Sequence, residues 1–106
     1  MTKVNINPGV CNLITKVTSE YDEDENTVKL TIKSACPHVA QLTKDLGNEF
    51  DAYELCLGKP GTGPLYEYAA KKFPGHCACP VISGITKCAE ASANLALPRD
   101  VVIHFE

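Results

Sequence analysis

Alternating apolar and polar positions open the chain. Residues 3–7 (KVNIN) put Val4 and Ile6 on one face and predict a short edge strand, which Pro8-Gly9 breaks. Residues 12–20 (NLITKVTSE) are rich in β-branched types and predict a strand with Leu13, Thr15 and Val17 on one side. Residues 27–33 (TVKLTIK) alternate strictly, with Val28, Leu30 and Ile32 inward and Lys29, Thr31 and Lys33 outward, as in a half-buried antiparallel strand. Between these two lies the acidic run Tyr21 to Asn26. It lacks the register and the glycine of a calcium loop, so it reads as a solvated hairpin tip.

After Cys36 the period lengthens. Pro37 opens a helix with Val39, Leu42 and Leu46 at helical spacing, ended by Gly47. Residues 50–57 (FDAYELCL) predict a short helix stopped by Gly58, and residues 65–72 (LYEYAAKK) another closed by Pro74-Gly75. The loop between them, Gly58 to Pro64, lacks the register of a phosphate cradle. Pro80 opens the longest predicted helix, to about Leu97, with Val81, Ile85, Cys88 and Leu95 on one stripe. Ser92 falls on that stripe, where a small hydroxyl can bond back to the preceding turn. Pro98 stops the helix, and residues 100–105 (DVVIHF) predict a last strand with Val101, Ile103 and Phe105 facing one way. This order gives an α+β fold, a small antiparallel sheet of a hairpin plus edge strands with helices packed on one face.

Composition narrows the class. The 106 residues make a single domain, 1–106, because two cores would each be too small to bury enough apolar surface. A hydrophobic fraction of 44% excludes a disordered tail. A net charge of −3 without a Lys/Arg cluster argues against nucleic acid or an anionic membrane as partner. No apolar run reaches the ~18 residues of a membrane span. Six cysteines fall short of a dense disulfide scaffold, and MTKVNINPGV has no secretory h-region, so a cytoplasmic, reducing location is expected. Clustered cysteines then read as metal-binding or catalytic, although an even count also suits three disulfides.

Chemistry concentrates at two Cys-Pro pairs. Cys36-Pro37 and Cys79-Pro80 each stand where a helix begins, and proline fits the first helical position because its missing N–H is orphaned there anyway. Each cysteine then lies at or near the N-cap, where the positive helix end favours a thiolate, which is both nucleophile and metal ligand. Cys11, in a Pro-Gly-Val-Cys turn, makes a third. Three thiolates brought together need a shared cation, and zinc or an iron–sulfur cluster takes such soft ligands. Gly75-His76-Cys77-Ala78-Cys79 offers a fourth ligand in His76 or Cys77. The spacings match no zinc-finger pattern. Cys56 and Cys88 lie on apolar stripes and read as core residues, and Tyr53, Tyr66 and Tyr68 as packing residues. His38 reads as exposed but able to approach the site, and His104 as a residue of the last strand's open face.

Cys11 before a hairpin, Cys36 at the sheet-to-helix junction, and His76-Cys77 opening a late helix resemble, in layout, the NifU/IscU-type iron–sulfur scaffold proteins over about residues 8–96. That resemblance implies three cysteine ligands and a nearby histidine, a cluster donor or acceptor protein as partner, and a small sheet covered by helices. The chain departs from the family at Asn12, where it has glycine then aspartate, and at Ala35, where it has glycine. Gly9-Val10-Cys11, Cys36-Pro37, His76 to Val81 and Leu95-Ala96-Leu97-Pro98 are also similar to a group of small uncharacterised proteins from anaerobic prokaryotes. That similarity implies no activity, and it favours Cys79 over Cys77 as the third thiolate. The expected function is a small cysteine-ligated domain for zinc or an iron–sulfur cluster, as scaffold or carrier. The alternatives are a metal-free reactive-thiol module with Cys36 or Cys79 as nucleophile and His76 as base, or a plain interaction domain with buried cysteines.

Overall fold

The strongest alternation becomes sheet. The computed structural model describes residues 1–106 and contains β1 (Thr2–Ile6), β2 (Thr15–Asp22), β3 (Thr27–Ser34), α1 (Pro37–Leu46), β4 (Glu49–Asp51), α2 (Ala52–Cys56), α3 (Pro64–Lys72) and α4 (Val81–Ser92). The strands form one antiparallel sheet in the order β1-β2-β3-β4, with Val4 opposite Val17 and Val17 opposite Ile32. Four helices pack against it, which is the expected α+β class. No helix is long and apolar enough to cross a membrane.

One face of the sheet is apolar and covered. Val17, Val28 and Leu30 join Val39 and Leu42 of α1, Leu55, Leu65, and Val81, Ile82 and Ile85 of α4 in a single core. Two hydroxyl pairs interrupt the inner face, Thr15 with Ser34 and Ser19 with Ser92, each with oxygens 2.7 Å apart. Each oxygen satisfies the other, and no buried side-chain nitrogen or oxygen lacks a partner. Ser92 also donates to the Ala89 carbonyl, the expected back-bond. The outer face is polar throughout, with Lys3, Asn5, Lys16, Glu20, Lys29, Thr31 and Lys33 exposed.

The hairpin tip is tied locally. Asp22 Oδ1 accepts from the Asp24 and Glu25 amides, and Asn26 takes a positive φ of 54°. On the helical side, Tyr68 donates to Asp45 across α1 and α3. That bond holds the Asp45 carboxyl below its usual range and, with burial, pushes the Tyr68 phenol up to about 12.

Several expectations are corrected. The segment read as a helix over 50–57 is split, because Glu49–Asp51 pairs with Thr27–Lys29 and only Ala52–Cys56 is helical. Asp51 is the hinge, its side chain accepting from the Glu54 amide as an N-cap. The last helix ends at Ser92 rather than near Leu97. Asn94 adopts a left-handed φ of 61° and the Leu95 amide reaches back to the Glu90 carbonyl, a helix stop made with asparagine instead of glycine. Residues 100–105 form no strand, since β-branched alternation makes sheet only against an edge, and here it meets none. His104 therefore has no sheet face to occupy. Tyr53, expected to pack, is 56% exposed, whereas Tyr68 is buried.

Candidate functional site

Three of the four predicted ligand positions leave the structure at one end of the sheet. Ile6 at the end of β1 stands opposite Thr15 at the start of β2, and Thr15 stands opposite Ser34 at the end of β3. The Ala35 amide donates to Ile14 at 3.1 Å, so the Cys11 turn and Cys36 emerge side by side from this end. Helix α4 begins at the same end. Its Gly84 lies against Ile6, its Cys88 thiol donates to the Thr2 carbonyl at 3.4 Å, and its Ser92 meets Ser19. It thus runs from the Ile6–Thr15 end toward the Thr2–Ser19 end, and Cys79 precedes its first turn at the former.

Each cysteine is held differently. Cys11 is exposed, in a turn closed by Asn12 N–H on the Gly9 carbonyl at 3.0 Å. Gly9 and Asn12 both take positive φ, 91° and 55°, which suits glycine and asparagine. Cys36 is the N-cap of α1 with Pro37 at the first helical position, as expected. Its amide donates to Ser34 Oγ at 3.1 Å, and Ser34 is fixed in turn by Thr15. Its thiol makes no capping bond to the helix, which leaves the sulfur free for another partner. Cys79 sits one residue further out than the sequence suggests, because Pro80 is itself the N-cap of α4. Its amide donates to the His76 carbonyl at 3.2 Å. Cys36 and Cys79 are half-buried and pack against the core, whereas His76 and Cys77 are exposed.

The sheet end collects these residues without closing them into a centre. No three His, Cys, Asp or Glu side chains stand close enough to hold one metal ion, and all six cysteines are free thiols. A link that sequence reasoning missed runs through Phe73. Its ring lies 6.2 Å from that of His38 in the first turn of α1 and 6.1 Å edge-on from Tyr68. This contact ties the start of the 74–79 loop to the helix that Cys36 caps. A single aromatic before Pro-Gly carries no periodicity, so nothing in the sequence marks it.

The other two thiols are set apart chemically. Burial and the Glu90 carboxylate push Cys56 up to about 11, and burial raises Cys88 as well. A thiol moved from 9 to about 11 holds roughly 100-fold less thiolate at neutral pH. Alkylation near neutrality, read by peptide mass spectrometry, is therefore expected to modify Cys11 and Cys77 first and to leave Cys56 and Cys88 slowest. Cys88 reacting as fast as Cys11 would show that α4 lifts from the sheet.

No curated protein and no solved structure matches the chain. One family, described as a family of unknown function (DUF6951), matches residues 2–105.

Proposed function

The chain belongs to that family of unknown function, and we propose that it is a small cytoplasmic domain that binds zinc or an iron–sulfur cluster. Cys11, Cys36 and Cys79 supply the thiolates and His76 or Cys77 the fourth ligand. The observation that carries this reading is the convergence of the Cys11 turn, the α1 N-cap and the α4 start on one end of the sheet. Two of these thiols, Cys36 and Cys79, are anchored against the core, while Cys11 and the 76–77 pair sit on exposed turns. Such a division suits a site in which the core holds two ligands and the exposed turns close on the ion, so that ligand binding and local ordering are one event. The ordered layout resembling the iron–sulfur scaffold proteins supports cluster chemistry, with a cluster donor or acceptor protein as partner.

Metal and acid-labile sulfide analysis of protein purified without oxygen tests the proposal. Stoichiometric zinc, or iron with sulfide, is expected, and Cys11→Ser, Cys36→Ser and Cys79→Ser should each lower it severalfold with the circular dichroism spectrum unchanged. Cys56→Ser should not lower it. Comparing His76→Ala with Cys77→Ser identifies the fourth ligand. Protein that takes up no metal after anaerobic reconstitution, or a triple serine variant that keeps it, overturns the reading. Metal-free protein in which Cys36 alkylates fast favours the reactive-thiol alternative, whose support is the uncapped Cys36 sulfur.

A further inference from the structure

We propose that Val101–Phe105 of one copy adds as a strand to the free edge of β1 in a second copy, and reciprocally, so that the chain is a strand-exchanged dimer. Both halves of the missing pairing are present and unused. β1 is an edge strand that pairs only with β2, which leaves one side of its backbone without sheet partners. The C-terminal segment is apolar and bare, with Val101 60%, Val102 81%, Ile103 79% and Phe105 92% exposed. Contiguous apolar exposure on this scale marks an interaction site. The family match runs to residue 105, so the segment lies within what the family shares.

The chemistry of the two surfaces agrees. β1 has five residues, the same length as the apolar run. A strand added beside β1 puts Val101, Ile103 and Phe105 on the side of Val4 and Ile6, extending the apolar layer over α4. Val102 and His104 then fall on the side of Lys3 and Asn5. Lys3 and Lys87 border a groove of about 120 Å³ between β1 and residues 96–100, and the apolar run is bracketed by Asp100 and Glu106. Cations on the acceptor edge thus meet acids on the incoming strand.

A second copy is a better donor than the same chain. The segment leaves α4 at the end where β1 begins, so pairing within one chain runs parallel to β1, the less stable arrangement per residue. Val101 is 60% and Phe105 92% exposed, so the segment makes little contact with its own body. A two-fold axis allows an antiparallel pair and repeats it twice. Two such exchanges cover Val101, Ile103 and Phe105 twice over together with both β1 edges, the kind of apolar burial on which specific interfaces are built.

Sedimentation equilibrium of the full chain across micromolar to submillimolar concentrations tests the proposal. The expected result is a dimer, with dimerisation weakened at least ~100-fold by Ile103→Pro or by deletion of residues 100–106. Because the segment is exposed, both variants should keep the wild-type circular dichroism and melting profile of the monomer. A wild-type chain that stays monomeric at the highest concentration overturns the proposal, as does a dimer that survives the deletion. Monomeric protein with slow amide exchange at Val101–Phe105 also overturns it, by showing that the segment folds onto its own β1.

Discussion

Gly84→Val is expected to lower the unfolding free energy by about 3 kcal/mol, through overpacking of the α4–β1 contact. A Cβ built on Gly84 falls 2.6 Å from Ile6 Cδ1 and 2.8 Å from its Cγ1, closer than such atoms approach. Ile6 cannot swing clear, because it is buried to 8% exposure and its Cγ2 lies 3.4 Å from the same point. Valine adds two methyls beyond that Cβ and gains little from helix propensity. Alanine is the informative intermediate, since its helical preference over glycine returns about 1 kcal/mol against the same clash. Trimming the neighbour should relieve it, so Ile6→Val with Gly84→Ala is expected to be more stable than the sum of the single changes. Urea denaturation of the four proteins reads this coupling. An unchanged midpoint for Gly84→Val would mean that α4 does not sit on β1 as described.

Ile85→Ala is expected to cost about 2–5 kcal/mol, and on the order of 10–20 °C in melting temperature, by emptying a fully buried position. A domain of this size has only ~5–15 kcal/mol to lose, so the variant should be partly unfolded at moderate temperature. The contrast is Tyr53→Ala on α2, where the ring is 56% exposed and the change should stay within about 0.5 kcal/mol. Differential scanning calorimetry separates the two cases. A loss below 1 kcal/mol at Ile85 would show that the core relaxes around the cavity. Because α4 carries Cys79 at its start, loosening it should also expose Cys79 to alkylation faster than in the wild type.

The sequence marked one of the two α4 positions, Ile85, and not the other. Ile85 belongs to a stripe at helical spacing, and the alternation of Val28, Leu30 and Ile32 fixed which face of β3 is buried. Gly84 was not legible, since a glycine inside a helical pattern reads as a mild penalty until its neighbour is known. β4 was hidden for a similar reason. Its three residues contain one apolar side chain, Phe50, and only the edge of β3 makes them a strand. The stop at Asn94 carried a readable signal, because asparagine tolerates the left-handed conformation that a helix end uses, but Pro98 offered a stronger one. Of the site, the N-cap role of Cys36 followed from Cys36-Pro37. The convergence of the Cys11 turn with Cys36 followed only once the pairing of Ile6, Thr15 and Ser34 was known, since spacing along a chain does not give register.

The polar outer face separates charge along the sheet. Lys16 and Lys33 stand directly opposite each other beside the Cys11–Cys36 end, whereas Asp22, Glu23, Asp24 and Glu25 crowd the hairpin tip at the other. Eight-residue strands hold these groups roughly 20 Å or more apart. In physiological salt a charge is felt over about 8 Å, so the two ends are electrically independent. A net charge of −3 therefore misdescribes what a visitor meets. An anion approaching the cysteine end encounters a locally cationic rim, its acidic counterweight screened out of reach, and its arrival there should slow as salt is added.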